Sequence, residues 1–235
     1  MANDRPVCVV VGVGPGNGAA LARRFAKEGH AVALLARSTD FSQALAKELP
    51  HARAYACDAS DPAALESTFA SIERELGEVE VLVLNAGSGV WGSVEEVSPA
   101  DFESAWRINA LGPLVACQRV IPGMKRRGRG SIVFIGATAS KRGGPKSAAF
   151  AAAKAAQRSL AESTARSLWP AGIHVSLIVV DGVVDLPRTR QRMPEQPDSF
   201  FIRPEGVAET ALQLTRQDRS AWSFEVEARP FAERW

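Results

Sequence analysis

An uninterrupted apolar run, Val7 to Val11, ends in the glycine cluster Gly12, Gly14, Gly16 and Gly18, and helical apolar spacing then runs from Ala19 to Glu28 before Gly29. This is the pattern of strand, tight turn and helix, and few folds accommodate it. In Gly12-x-x-x-Gly16-x-Gly18 the first glycine lets the chain turn sharply off the strand. The others let backbone and helix approach a pyrophosphate, to which the helix N-terminus offers N–H donors and the positive end of its dipole. A plain turn would also use glycine, but the placement between a strand and a helix favours a phosphate cradle, with Asn17 in the same loop.

The alternation recurs along the chain. Ala31 to Ala36 is a second apolar run followed by a helical stretch around residues 40 to 48, and Ala52 to Cys57 is a third. Asp61 and Pro62 read as the N-cap and first position of a helix that closes near Gly77. Val79 to Leu84 and Ser131 to Gly136 are the fourth and fifth strands, separated by a long helical region that begins at Ser98 and Pro99. An Ala-dense helix from about Ser147 to Trp169 precedes a sixth strand, Ile173 to Val180; a helix near Glu205 to Arg216 leads to a seventh, Trp222 to Glu227. Strands that are apolar throughout, alternating with helices, predict a three-layer α/β, doubly wound arrangement with a mostly or wholly parallel sheet.

With 235 residues, 46% hydrophobic and 23% charged, the chain is expected to form one domain over 1–235. Only Leu186 to Pro204, with four prolines, has loop composition. Lying beyond the carboxyl end of strand six, residues 186–204 read either as a substrate lid or as a disordered surface loop.

Charge excludes some partners. Lys plus Arg total 28 against 26 acidic residues, a net of +2, and the basic residues are dispersed, so no nucleic-acid partner is indicated. The cluster Lys125-Arg126-Arg127-Gly128-Arg129 ends a helix, where cations suit the dipole. Cys8, Cys57 and Cys117 are widely spaced, as in a reducing compartment, and His30, His51 and His174 lack metal-ligand spacing. No apolar run has membrane-spanning length and no signal-peptide pattern opens the chain, so a cytoplasmic, soluble protein without a membrane partner is expected. The chain holds one Tyr, at position 55.

The residues that end strand two discriminate between dinucleotides, because an acidic group there binds a ribose 2′-hydroxyl and repels a 2′-phosphate. Here stand Ala36, Arg37 and Ser38, and a guanidinium beside a hydroxyl matches the 2′-phosphate of NADP(H). Asp58, followed by Ala59, closes strand three and is placed to accept from an adenine amino group; Asn85-Ala86-Gly87 closes strand four, where small residues admit a cofactor against the backbone. Simple turn chemistry is the competing reading for each.

Together with Asn109 in Arg107-Ile108-Asn109-Ala110-Leu111-Gly112, and Lys154 on the Ala-rich helix, these features resemble the short-chain dehydrogenase/reductase family over essentially the whole chain. The ending from Trp222 through Arg229-Pro230-Phe231 to Trp235 resembles one bacterial subgroup of it. The resemblance implies a seven-stranded Rossmann-type sheet, a homodimer or homotetramer, and hydride transfer between a nicotinamide and a small substrate. It also implies catalysis by an Asn, a Ser, and a Tyr four residues before a Lys. The Asn matches Asn109 and the Lys matches Lys154, which in the family also binds the nicotinamide ribose. Phe150 stands at the Tyr position and Ala137 at the Ser position.

Phe has the ring and no proton, so an alkoxide formed in carbonyl reduction loses its acid. Thr138 is one residue from Ala137 and points to the other face unless the strand has already ended there. Where the family has Pro-Gly after strand six, Asp181-Gly182-Val183-Val184 stands instead; Gly182 and Val184 are placed to contact a nicotinamide carboxamide. Trp91 and Trp106, with Phe200 and Phe201, line an apolar pocket on one reading and are core on the other. The alanines of residues 148–156 suit a subunit interface or an internal contact equally. Two functions follow: an NADP(H)-dependent oxidoreductase with an atypical catalytic site, or a catalytically silent NADP-binding sensor or partner subunit.

Overall fold

The computed structural model describes residues 5–87 and 89–232. Its strands are β1 (Val7–Val11), β2 (Ala31–Ala36), β3 (Ala52–Ala56), β4 (Val79–Leu84), β5 (Gly130–Ala137), β6 (Ile173–Val180), the two-residue β7 (Val183–Val184) and β8 (Phe201–Ile202), and β9 (Glu225–Ala228). Seven of them form one sheet in the order β3-β2-β1-β4-β5-β6-β9, with every pair parallel. Sequence order reverses between β1 and β4, and in an open α/β sheet the crevice for a ligand lies at the carboxyl ends of such a pair.

The helices are α1 (Asn17–Lys27), α2 (Asp40–Glu48), α3 (Pro62–Glu75), α4 (Pro99–Trp106), α5 (Gly112–Arg127), α6 (Ala148–Leu168), α7 (Pro187–Arg192) and α8 (Pro204–Thr215). Side chains of β1 alternate between two cores, as the period of a strand requires. Val7, Val9 and Val11 join Leu65, Phe69 and Val120 beneath α3, α5 and α6; Cys8 and Val10 join Leu21, Phe25 and Val207 beneath α1 and α8. That two-faced burial is why the strand is apolar throughout.

Local chemistry sets several boundaries. Asp61 accepts from Ala63 N–H at 2.9 Å and starts α3, as expected, and the Ser98 hydroxyl accepts from Asp101 N–H at 3.1 Å at the start of α4. The helical region after Ser98 is not continuous: a π-helical turn, Arg107–Leu111, joins α4 to α5. Pro113 has no N–H to give the carbonyl of Asn109 four residues earlier, and the register widens just before it, with Gly112 N–H donating to Arg107 O. A Cβ on Gly112 would lie 1.9 Å from the carbonyl oxygen of Ala59, so only glycine lets α5 pass the turn after β3.

Two expectations need correction. The stretch 186–204 is not irregular: it holds α7, a 3₁₀ turn at Asp198–Phe200, and β8, which pairs with β7 through Val183–Phe201 and Val184–Ile202. Arg190 ties it together, bonding both Asp185 oxygens at 2.7 and 2.8 Å and Asp198 at 2.6 Å while lying 4.1 Å over the Phe201 ring. The seventh sheet strand begins at Glu225, not Trp222, because Trp222 instead stacks on His174, ring centroids 4.8 Å apart. The end of the C-terminal segment, including Trp235, lies outside the described residues. Among the described residues no helix is long and apolar enough to cross a membrane.

Candidate functional site

The glycine cluster sits at the carboxyl end of β1. Gly12 has φ +94°, and a Cβ there would come within 2.5 Å of the Ala86 backbone; one on Gly18 would lie 2.5 Å from the Gly12 carbonyl oxygen. Asn85 ties this turn to β4, its Nδ2 donating to Gly12 O at 2.6 Å while Asn85 and Ala86 N–H both donate to Val11 O. Gly14 faces open space, whereas Gly16 rests against Leu186 at the start of the 186–204 stretch. Helix α1 begins at Asn17 with no side-chain cap, and Asn17 Oδ1 is buried without a hydrogen-bond partner. The cradle thus has a bare helix N-terminus, close backbone and an unused acceptor, which fit the phosphates and a neighbouring hydroxyl or amide of a dinucleotide.

Arg37 and Ser38 follow β2 and are exposed; Arg37 has no ion-pair partner among the described residues, so its guanidinium is available to a 2′-phosphate. Asp58 accepts from Ser60 N–H at 2.8 Å and from its hydroxyl at 2.7 Å. Those bonds, with the charge of Arg37 as a smaller cause, hold its carboxyl below the usual range. The turn reading of Asp58 is therefore present in the structure, and the same geometry fixes its carboxylate at the crevice edge, with Ala59 beside it.

At the other end, α6 carries Lys154 inward, 4% exposed, although its helix is half solvated. Lys154 Nζ donates to Ile135 O and to Gln157 Oε1, both at 3.0 Å, and burial pushes the ammonium down to about 8. The π turn buries Asn109 completely; its Nδ2 donates to Ala105 O at 2.9 Å, and its Oδ1 has no partner. Asn109 Oδ1 and Lys154 Nζ converge over Gly87, where a built Cβ would lie 3.3 and 3.5 Å from them. An acceptor and an ammonium facing one point suit a water or a ligand hydroxyl.

Phe150 lies one helical turn before Lys154 and packs on Trp91, ring centroids 5.0 Å apart and planes at 39°. Trp91 is 64% exposed, yet its loop is held: Gly92 N–H donates to Lys146 O at 2.9 Å and Ala148 N–H to Gly92 O at 3.2 Å. Neither reading of the four rings holds: Phe200 packs on Phe201, which lies under Arg190, Trp106 makes no ring contact with either pair among the described residues, and Trp91 and Trp106 are exposed.

Strand β5 does end at Ala137, and Thr138 opens a 3₁₀ turn. Its hydroxyl, however, donates to Asp181, whose other oxygen pairs with Arg229 at 2.6 Å. Thr138 and Asp181 are thereby partnered with each other. Gly182 has φ +151° and crowds Pro230, and Val184 lies in the β7–β8 ladder. Gln157 was not anticipated; its signal was a polar residue three positions beyond Lys154 on an otherwise alanine-rich face.

A short chain dehydrogenase family model matches residues 6–197. The inactive 2-(S)-hydroxypropyl-CoM dehydrogenase 2 of Xanthobacter autotrophicus is 31% identical over 208 residues, 83% of this chain and 90% of its own. Among solved structures, a metagenomic short-chain oxidoreductase in complex with NADP matches with a TM-score of 0.84 and 29% identity, covering 97% of this chain and 98% of its own. An alcohol dehydrogenase of Thermococcus sibiricus complexed with 5-hydroxy-NADP matches with a TM-score of 0.86 and 25% identity, covering 98% and 99%.

Proposed function

Since the chain belongs to the short-chain dehydrogenase family, we propose that it is an NADP(H)-dependent oxidoreductase whose catalytic set is reduced to Asn109 and Lys154, with Phe150 and Ala137 where the Tyr and Ser of that family stand. The observation that carries this reading is the convergence of Asn109 Oδ1 and Lys154 Nζ over Gly87, in the same crevice as an uncapped α1. The NADP-complexed relatives support the choice of cofactor.

In this reading Gly14, Gly16 and the α1 N-terminus hold the phosphates, and Arg37 with Ser38 holds the 2′-phosphate. Asp58 and Ala59 flank the adenine, Asn85 and Ala86 keep the β1 turn closed, and Gly182 and Val184 border the carboxamide. Lys154 holds the ribose beside it. Bound there, the nicotinamide supplies or accepts a hydride. Lys154, with its ammonium down at about 8, exchanges a proton near neutral pH with a water held by Asn109 Oδ1. Phe150 gives no proton, so the substrate is a small molecule whose reduction needs little acid help, such as an activated double bond or an iminium. The 186–204 stretch, closed on itself by Arg190, serves as the lid. Exposed Phe102, Trp106 and Leu114 on α4 and α5 support self-association as a homodimer or homotetramer.

A second reading, a silent NADP-binding sensor or partner subunit, is favoured by the packing of Phe150 on Trp91 and the engagement of Thr138 with Asp181. The deciding experiment measures NADPH oxidation against ketones, quinones, enones and imines, beside a Phe150→Tyr, Ala137→Ser double variant. The proposal expects turnover of an enone or imine by the native chain and a gain of roughly a hundred- to ten-thousand-fold on ketones in the variant. NADPH binding without turnover of any acceptor supports the silent reading; no NADPH binding by fluorescence titration defeats both.

A further inference from the structure

Gln157 is the one fully buried amide side chain on α6, 0% exposed. Its orientation is not ambiguous. An ammonium has no acceptor, so the amide oxygen must face Lys154 Nζ, at 3.0 Å, and the amide nitrogen must face away. That leaves Gln157 Nε2 buried with no hydrogen-bond partner among the described residues. A buried polar group that satisfies a neighbour at its own expense points to a role in holding that neighbour.

Phe150, Lys154 and Gln157 share one face of α6, four and three residues apart. The turn before Lys154 therefore presents a ring without an acceptor, and the turn after it presents the one side-chain acceptor bonded to Nζ among the described residues. Ile135 O takes a second N–H, and the third is left toward Gly87 and Asn109. We propose that Gln157 is a positioning residue: with Ile135 O it fixes Lys154 Nζ and keeps it protonated, so that its remaining N–H is directed over Gly87. The proposal rests on the reading of Lys154 as a ligand-binding group.

Among the described residues Lys154 makes no ion pair. Burial lowers the Lys154 ammonium, and the bond to Gln157 Oε1 at 3.0 Å acts against that lowering. On the elements packed around α6, Arg107 pairs with Glu103, Lys141 with Glu225 and Glu227, and Asp181 with Arg229, while Asp101 accepts from the Ser98 hydroxyl and the His174 ring meets Leu214 O and Ser223 O; on α6 itself Arg158 pairs with Glu225 and Arg166 with Glu162. A carbonyl-type oxygen stabilises an ammonium more than the neutral amine, so removing it must lower the midpoint, and a carboxylate in its place must raise it.

The test compares the wild type with Gln157→Met and Gln157→Glu. Acetic anhydride labelling of the protein without cofactor is followed from pH 6 to 10, and the Lys154 peptide is read by mass spectrometry. NADPH affinity is measured across the same range by fluorescence. The expected result is a Lys154 midpoint at least about half a pH unit lower in Gln157→Met and about one unit or more higher in Gln157→Glu. NADPH affinity at pH 8 should fall about threefold or more in Gln157→Met and recover at pH 7, where the lysine is again protonated. A midpoint in Gln157→Met equal to that of the wild type overturns the proposal. Labelling shifts as expected in a protein that never binds NADPH would instead defeat the functional reading and leave the positioning role standing.

Discussion

At the β1–α1 end of the crevice the binding surface is backbone, while at the β5–α6 end it is side chain, and the two ends differ in what they leave unused. The first end keeps its groups open to a ligand: α1 has no side-chain cap, Gly14 faces open space, Asn17 Oδ1 has no partner, and Arg37 has no ion pair among the described residues. The second end engages most of its side chains with one another, and what it leaves unpartnered is buried: Asn109 Oδ1 and Gln157 Nε2. Thr138 engages Asp181, Asp181 engages Arg229, Lys154 engages Ile135 and Gln157, and Phe150 packs on Trp91. Glycine-lined backbone has few ways to change and still close its turn. Side chains at strand ends can be exchanged one at a time without disturbing the sheet, so the reacting half of such a fold can diverge while the binding half persists.

The comparison breaks first at Gly12. Gly12→Val forces a branched side chain into φ +94° and against the Ala86 backbone, and should cost about 3 kcal/mol or more, with NADPH binding abolished. Urea denaturation and fluorescence titration read both losses; near-normal stability would mean that the turn is not held as described.

At the side-chain end, Lys154→Met should stabilise the protein at pH 7. The buried ammonium is held down to about 8, against about 10.4 in an unfolded chain, so its full penalty is present below pH 8. Between about pH 8 and pH 10 the unfolded chain binds the extra proton, and stability should rise with pH by up to about 1.4 kcal/mol per unit. Denaturation at pH 7, 8, 9 and 10 should show this slope in the wild type and its absence in Lys154→Met, by about those amounts.

Arg37→Ala should weaken NADPH about ten- to a hundredfold and leave NADH within about twofold, read by paired fluorescence titrations. Equal losses for both dinucleotides would remove Arg37 from the 2′-phosphate site. The smallest effect belongs to Arg190→Ala. Its ion pairs are partly solvated, so global stability should change by less than about 1 kcal/mol, while limited proteolysis within 186–204 should accelerate several-fold.

The contrast between the ends also governs what was legible in the sequence. Strands β1, β2, β4 and β6 could be bounded because their residues are buried on both faces and stop at glycine, polar or turn residues. The cradle was equally readable, since backbone that must turn or pass closely admits little but glycine. Less visible were features that depend on distant partners. The pairing of Val183–Val184 with Phe201–Ile202 spans two residues on each side, too short for any periodic pattern. The close pass of Gly112 over Ala59 joins positions more than fifty apart. That Thr138 is engaged by Asp181, forty-three positions away, follows from packing that neither spacing nor composition encodes.

Tyr55 lies far from all of this chemistry, on the outermost strand β3, where its hydroxyl donates to Glu75 at 3.0 Å. Burial first, and the Glu75 carboxylate second, hold its phenol well above the ordinary range. It is also the only tyrosine in the chain. As pH rises a free phenol ionises before this one, so early tyrosinate absorbance comes from a single position and reports the detachment of β3. The native chain thus carries its own optical gauge of the sheet edge, able to time the opening of that margin separately from the tryptophan signals of the rest of the molecule.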